Sequence, residues 1–143
     1  MPIRDPLQVL QLGPLWMLSA VTGTESFTPL DREVFAEVLA SVLCRTQVEA
    51  RAVLQTVADA GPDLFLDFEL DDRSLVSGIR HIAEVLAASD PELAADYKIA
   101  LLRIGLGIAV ARGPYGRQAS AESEQQLLRV AELLDMPAGA RFW

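Results

Sequence analysis

Residues 90–112 read DPELAADYKIALLRIGLGIAVAR, and this stretch decides the fold class. Asp90 followed by Pro91 is a helix start, because an Asp side chain can cap free backbone N–H groups and proline fits the first helical position. The residues that follow are apolar on nearly every side of the helix. Such a helix is stable in water only when neighbouring elements surround it. The pattern therefore predicts a buried helix at the centre of an all-α bundle.

The same stretch is not expected to span a membrane. Asp96, Lys98 and Arg103 interrupt its apolar residues, whereas a spanning helix needs about 20 nearly uncharged residues. Gly105 and Gly107 each cost up to about 1 kcal/mol of helix propensity relative to alanine. We expect a neighbouring helix to approach closely at these two glycines and so compensate for that cost.

Further helix start signals recur along the chain. Each offers a side chain that can cap backbone N–H groups, and most are followed by a proline or by an acid in the first turn. The predicted starts are Asp5-Pro6, Thr28-Pro29, a capping box of Thr46 and Glu49, Asp71 or Asp72, and Ser120. Together with residues 90–112, they predict an all-α, single-domain bundle of six or seven helices over residues 1–143.

Two segments of this pattern are less regular. Pro14 falls inside the first helix and is expected to kink or divide it, since proline removes a backbone donor. Residues 63–70 alternate acidic and apolar side chains. That run is too short and too isolated to build a sheet, so we expect a helical turn or loop. Phe65 and Phe68 would anchor it to the core.

Composition limits the classes of partner. The net charge is −8, with 20 acids against 12 bases, and Lys98 is the only lysine. Nucleic acids and anionic membrane surfaces are therefore not expected partners, because both need clustered basic side chains.

The single Cys44 excludes an internal disulfide and fits a reducing cytoplasm. Hydrophobic residues make up 51% of the chain. Either the core is large or a partner subunit covers apolar surface, and a homodimer is the simplest such assembly.

An acidic segment is the first candidate site. The acids of residues 59–72 are the densest charge cluster, and Asp67, Glu69 and Asp71 alternate as oxygen ligands do in some calcium loops. They are weak candidates for binding a metal. The alternative interpretation is a solvated loop that also caps the next helix. No resident cofactor is predicted.

A glycine-containing loop at residues 112–118 is the second candidate. Arg112, Tyr115 and Arg117 precede a helix start, where backbone N–H groups favour anions. This arrangement indicates an anionic ligand or an acidic partner, and the alternative is a plain connector. Phe142 and Trp143 form a third candidate, since terminal aromatic residues either pack on the core or contact a partner.

No catalytic set is recognisable. His81 is the only histidine, and its helical position, roughly opposite the apolar residues of its helix, predicts an exposed surface residue. A general base needs a partner within hydrogen-bonding reach, and no Ser, Asp or Cys can be paired with His81 from the sequence. We therefore expect a non-enzymatic interaction module that self-associates, and the alternative is an enzyme whose site is not recognisable from the sequence.

Two parts of the chain contain the same sequence features in the same order. Residues 15–21 form an apolar run ending in Ala20 and Val21, and residues 104–111 form a similar run. Each is followed by a glycine-containing loop, a hydroxyl cap and an acid early in the next helix. The match indicates either a structural repeat or the common form of helix–loop–helix units.

This repeated order resembles the tellurite-resistance TerB-like domain, and residues 97–134 carry most of the likeness. The resemblance implies an all-helical bundle, an association with stress or tellurite response, and divalent-cation binding through Asp-Gly loops. Glu33 and Glu124 match the acids of that family's helices. The loops themselves read Thr22-Gly23 and Arg112-Gly113. Because both lack the aspartate, cation binding is not carried over to this chain.

Overall fold

A computed structural model describes residues 5–24, 26–71, 73–112 and 120–135. Within these ranges the chain forms seven α-helices and no strand, which confirms the prediction of an all-α bundle. The helices are α1 (Pro6–Thr22), α2 (Pro29–Leu43), α3 (Val48–Ala60), α4 (Pro62–Glu69), α5 (Leu75–Ala87), α6 (Pro91–Arg112) and α7 (Ala121–Leu133). None of these seven helices is both long and apolar enough to cross a membrane.

Helix α6 lies at the centre of the bundle, as its apolar pattern predicts. It packs against α1, α2, α3, α5 and α7. The expected close approach at its two glycines is confirmed. A methyl group on Gly105 would lie 2.5 Å from Leu127 Cδ2, and one on Gly107 would lie 2.6 Å from Val38 Cγ1. These glycines therefore let α7 and α2 approach the central helix more closely than alanine would allow.

Of the two predicted effects of Pro14, division of the helix does not occur, since α1 runs unbroken through that residue. Proline has no N–H to donate to the carbonyl oxygen four residues earlier, which belongs to Leu10. The Tyr97 hydroxyl of α6 donates a hydrogen bond to that Leu10 oxygen. Gly13 makes room for this contact, since its missing Cβ would lie 2.1 Å from the Tyr97 hydroxyl oxygen.

Four of the predicted helix starts are confirmed, including Asp90, whose carboxylate accepts the Glu92 N–H at the start of α6. Asp5 forms a capping box with Gln8 at the start of α1, and Thr28 forms one with Asp31 at the start of α2. Ser120 accepts a hydrogen bond from the Ser123 N–H at the start of α7. These caps satisfy backbone donors that have no partner within the helix, so each fixes a helix start locally.

Two predicted starts are wrong. Thr46 does not form a capping box with Glu49, because its hydroxyl donates to the Val42 carbonyl oxygen at the end of α2, at 2.7 Å. Helix α5 is capped by Ser74 and not by Asp71. The Asp71 carboxylate instead binds the Arg73 guanidinium, at 2.8 Å between Oδ2 and Nη2.

The stretch 63–70, predicted as a helical turn or loop, forms most of the eight-residue helix α4. Its inner face is aromatic, as expected for an anchor. Phe68 is buried, lies 4.7 Å from Trp16 between ring centroids and stacks on Phe27 at 5.6 Å. Phe65 is partly buried and meets the edges of Phe27 and Phe35. Aromatic pairs of this geometry add about 0.5–1.5 kcal/mol beyond area burial, which explains how so short a helix is held in place.

Candidate functional site

Arg112, the first residue of the candidate anion loop, is held by an ion pair within the bundle. Its Nη1 donates to Oδ1 of Asp31. The Asp31 side chain is only 6% exposed, whereas that of Arg112 is 41% exposed. The second Asp31 oxygen accepts from the Thr28 N–H at 3.0 Å. The carboxylate therefore caps α2 and joins it to the end of α6, while one side of the guanidinium still faces solvent. Tyr115 and Arg117 lie outside the described residues.

Arg112 also lines a cavity of about 330 Å³ where three helix ends meet. These are the C-terminal ends of α1 and α6 and the N-terminal end of α7. Thr22 and Gly23 line it from α1 and its end, and Ser120 and Glu122 line it from the start of α7. The structure thus brings Thr22 and Gly23 close to Arg112 and Ser120, the described residues on either side of the second loop of the predicted repeat.

The charges around this cavity are mixed. Arg112 is the positive group, but the buried Asp31 carboxylate is bound to it. Glu122 adds a second carboxylate to the lining. Hydroxyl and amide groups supply further polar atoms, from Thr22, Ser120, Ser123 and Gln126. The arrangement suits a small polar molecule that offers an anionic group to Arg112 and hydrogen-bond donors to the rest.

The three acidic candidates are not brought together. Asp67 is exposed, Glu69 pairs with Arg32 at 3.3 Å, and Asp71 is buried against Arg73. Across the ranges described, no group of three or more Asp, Glu, His or Cys side chains could hold a metal ion. Two of these three carboxylates therefore have arginine partners in place of a shared cation.

Asp71, Arg73 and His81 form a network that the sequence did not reveal. The Asp71 side chain is 2% exposed, and Arg73 Nη1 lies 2.7 Å from His81 Nδ1. Because a guanidinium can only donate, Nδ1 must accept, and the ring proton then resides on Nε2. His81 is half-buried and not exposed as predicted. The network links the segment after α4 to α5.

Two other surface features are left uncovered by the described parts of the chain. Leu66 and Leu70 are 56% and 76% exposed on the outer side of α4 and just after it. A groove of about 460 Å³ separates the starts of α3 and α6. Val48, which is 68% exposed, lines this groove. Phe142 and Trp143, the predicted terminal contacts, lie outside the described residues.

Comparison with known proteins returned no relative for this chain. No family model, no curated protein and no solved structure matches it.

Proposed function

We propose that this protein is a non-enzymatic helical interaction module that associates with a second copy of itself through the outer face of α4. The observation that carries the proposal is the exposure of Leu66 and Leu70 on a helix whose opposite face is anchored by aromatic rings. Its cytoplasmic location, expected from the lone Cys44, is part of the same proposal. An association with stress or tellurite response rests on the TerB-like resemblance alone.

The two leucines are neighbours on the helix surface. They are four residues apart, and the Leu70 N–H donates to the Leu66 carbonyl oxygen at 3.1 Å. Buried Leu64 and Phe68 hold the other side of the helix against the bundle. The leucines thus form a small apolar ridge on a fixed support. Rigid, preorganised apolar side chains are favourable contacts because little further entropy is lost on binding.

Charges flank the ridge and define how association should respond to salt. Asp63 and Asp67 are exposed on α4, and each copy carries a net charge of −8. Two copies meeting at α4 would bring like charges near each other. Salt screens exposed charges over about 8 Å at physiological ionic strength, so the proposal expects tighter association as salt rises.

The first test measures oligomeric state by sedimentation velocity and light scattering across a concentration series. Wild-type protein should form dimers. The Leu66→Gln, Leu70→Gln double variant should raise the dimer dissociation constant at least about a hundredfold. The reason is that a symmetric interface loses four leucines, each contributing about 1 kcal/mol from partial burial.

Leu128→Gln is the matched control, because Leu128 on α7 is 51% exposed but lies on another helix. It should leave the dissociation constant unchanged. Wild-type protein that stays monomeric at about millimolar concentration would contradict the proposal. Equal effects of the control and the double variant would show that general surface hydrophobicity, and not the α4 face, drives association.

A second candidate function is the binding of a small polar ligand in the cavity at Arg112. The convergence of the α1, α6 and α7 ends around one exposed guanidinium favours it. The first helical turn of α7 contributes backbone N–H groups whose dipoles favour an anionic group. The ligand class is therefore a small molecule with a phosphate or carboxylate and additional hydrogen-bond donors.

A thermal-shift screen with inorganic phosphate, small carboxylates, calcium and magnesium tests this candidate. A ligand present at 100 times its dissociation constant should stabilise the fold by about 2.7 kcal/mol. The stabilisation by phosphate or carboxylate should disappear in Arg112→Gln. A flat screen, or a shift that Arg112→Gln retains, would count against the cavity as the binding site.

A further inference from the structure

The groove between the starts of α3 and α6 has features that none of the surfaces above shares. Its lining includes two apolar side chains, Val48 and Ala95, and three carboxylates. The carboxylates are Glu49, Glu92 and Asp96. Val48 is the first residue of α3 and is 68% exposed. An aliphatic side chain is therefore left in water among acids, on a surface that no part of the described chain covers.

Among the residues that the structure describes, the carboxylates of this groove have no partner. None of the three makes an ion pair or a side-chain hydrogen bond in the described parts of the chain. Glu92 is not needed to cap α6, because Asp90 does so by accepting the Glu92 N–H at 3.0 Å. Glu49 and Glu92 lie in first helical turns, where a negative charge is tolerated at low cost. Their carboxylates are thus available to an outside group.

The spacing of these acids argues against a metal ion. Calcium needs several oxygens converging at about 2.3–2.6 Å, and the described residues contain no group of three acidic, His or Cys side chains that could hold a metal. Carboxylates distributed along a groove fit a longer cation better. An arginine side chain combines an aliphatic stem, which packs on apolar surface, with a planar guanidinium that can bind carboxylates in pairs.

We propose that this groove is the docking site for an arginine-bearing segment of a partner protein. Charge complementarity selects the occupant. The groove presents carboxylates and no basic side chain, and the net charge of −8 attracts basic partners. A second copy of this chain is disfavoured as the occupant, because its own surface is acidic. The partner's arginine stems contact Val48 and Ala95, and the guanidinium groups reach Glu49, Glu92 and Asp96.

The proposal is independent of the α4 face, which lies on a different helix. The test uses the full chain and a capped, fluorescently labelled peptide in which arginine alternates with valine. Two further peptides carry lysine or glutamate in place of arginine. Fluorescence polarisation should show binding of the arginine peptide, weaker binding of the lysine peptide and none of the glutamate peptide. Backbone amide shifts in the wild-type protein should concentrate at residues 47–49 and 92–96.

Matched variants separate the groove from overall charge. Glu92→Gln with Asp96→Asn should weaken the arginine peptide about tenfold, since two partly exposed charge contacts are lost. Glu33→Gln with Glu37→Gln changes the net charge equally but alters exposed acids on α2, and it should leave binding unchanged. Equal weakening by both variants, amide shifts elsewhere, or no binding at about millimolar protein would overturn the proposal.

Discussion

Replacing Gly78 with alanine is expected to lower the free energy of unfolding by about 2–3 kcal/mol. Gly78 is buried in α5 where that helix packs on α1. A Cβ there would lie 2.2 Å from Cε2 and 2.4 Å from Cζ2 of Trp16. The indole ring is 1% exposed and meets the Phe68 edge at 4.7 Å, so it has little room to move. Overpacking a core costs about 1–3 kcal/mol and occasionally more, and a clash with a rigid, buried ring lies at the upper end of that range. Alanine's better helix propensity offsets up to about 1 kcal/mol of this loss.

Urea unfolding measures this change, and the slope with denaturant should stay constant if only stability changes. Gly107→Ala is the matched control. It places the same methyl group in a helix interior and against a neighbouring helix, but its close neighbour is the half-buried Val38 side chain and not a fully buried ring. We expect a smaller loss of about 1 kcal/mol for Gly107→Ala, at the low end of overpacking costs. Similar losses in the two variants would contradict the packing described for Trp16.

Trp16 and Gly78 also show what the sequence could and could not predict. Helix starts such as Thr28-Pro29 and Asp90-Pro91 are local signals, because a cap and the N–H groups it satisfies lie within one turn. They predicted both starts correctly. The packing of Gly78 on Trp16 depends on how α5 crosses α1, and no pattern within either helix encodes that crossing.

The candidate sites were less predictable for the same reason. Arg112 was chosen for its loop, but its partner Asp31 lies 81 residues away in the sequence. The sequence suggested Asp71 as a metal ligand or as the cap of α5. In the structure its carboxylate is buried in an ion pair with Arg73, and Ser74 caps the helix. Side chains that look alike in sequence acquire different roles because burial decides which charges must be paired. The groove between α3 and α6 left no signal in the sequence, because its two walls come from separate helix starts.

Replacing Tyr97 with phenylalanine is expected to cost about 2 kcal/mol of unfolding free energy. Tyr97 is completely buried, and burial raises the pKa of its hydroxyl, so the group stays protonated and donates to the Leu10 oxygen. Phenylalanine keeps the ring but removes the donor. The Leu10 oxygen, which Pro14 cannot serve, then remains buried without a partner, and such a group costs about 1–3 kcal/mol.

Adding Pro14→Ala to Tyr97→Phe should restore about half of that loss. Alanine returns an N–H at position 14 that can donate to the Leu10 oxygen in the regular helical pattern. In the wild-type protein, Pro14→Ala should raise the free energy of unfolding by a smaller amount, because the Tyr97 hydroxyl already donates to the Leu10 oxygen. A double-mutant cycle measured by urea unfolding should therefore give a coupling energy of about 1 kcal/mol between residues 14 and 97. Strict additivity would show that the Tyr97 hydroxyl does not replace the hydrogen bond that Pro14 removes, and the continuity of α1 through Pro14 would then need another cause.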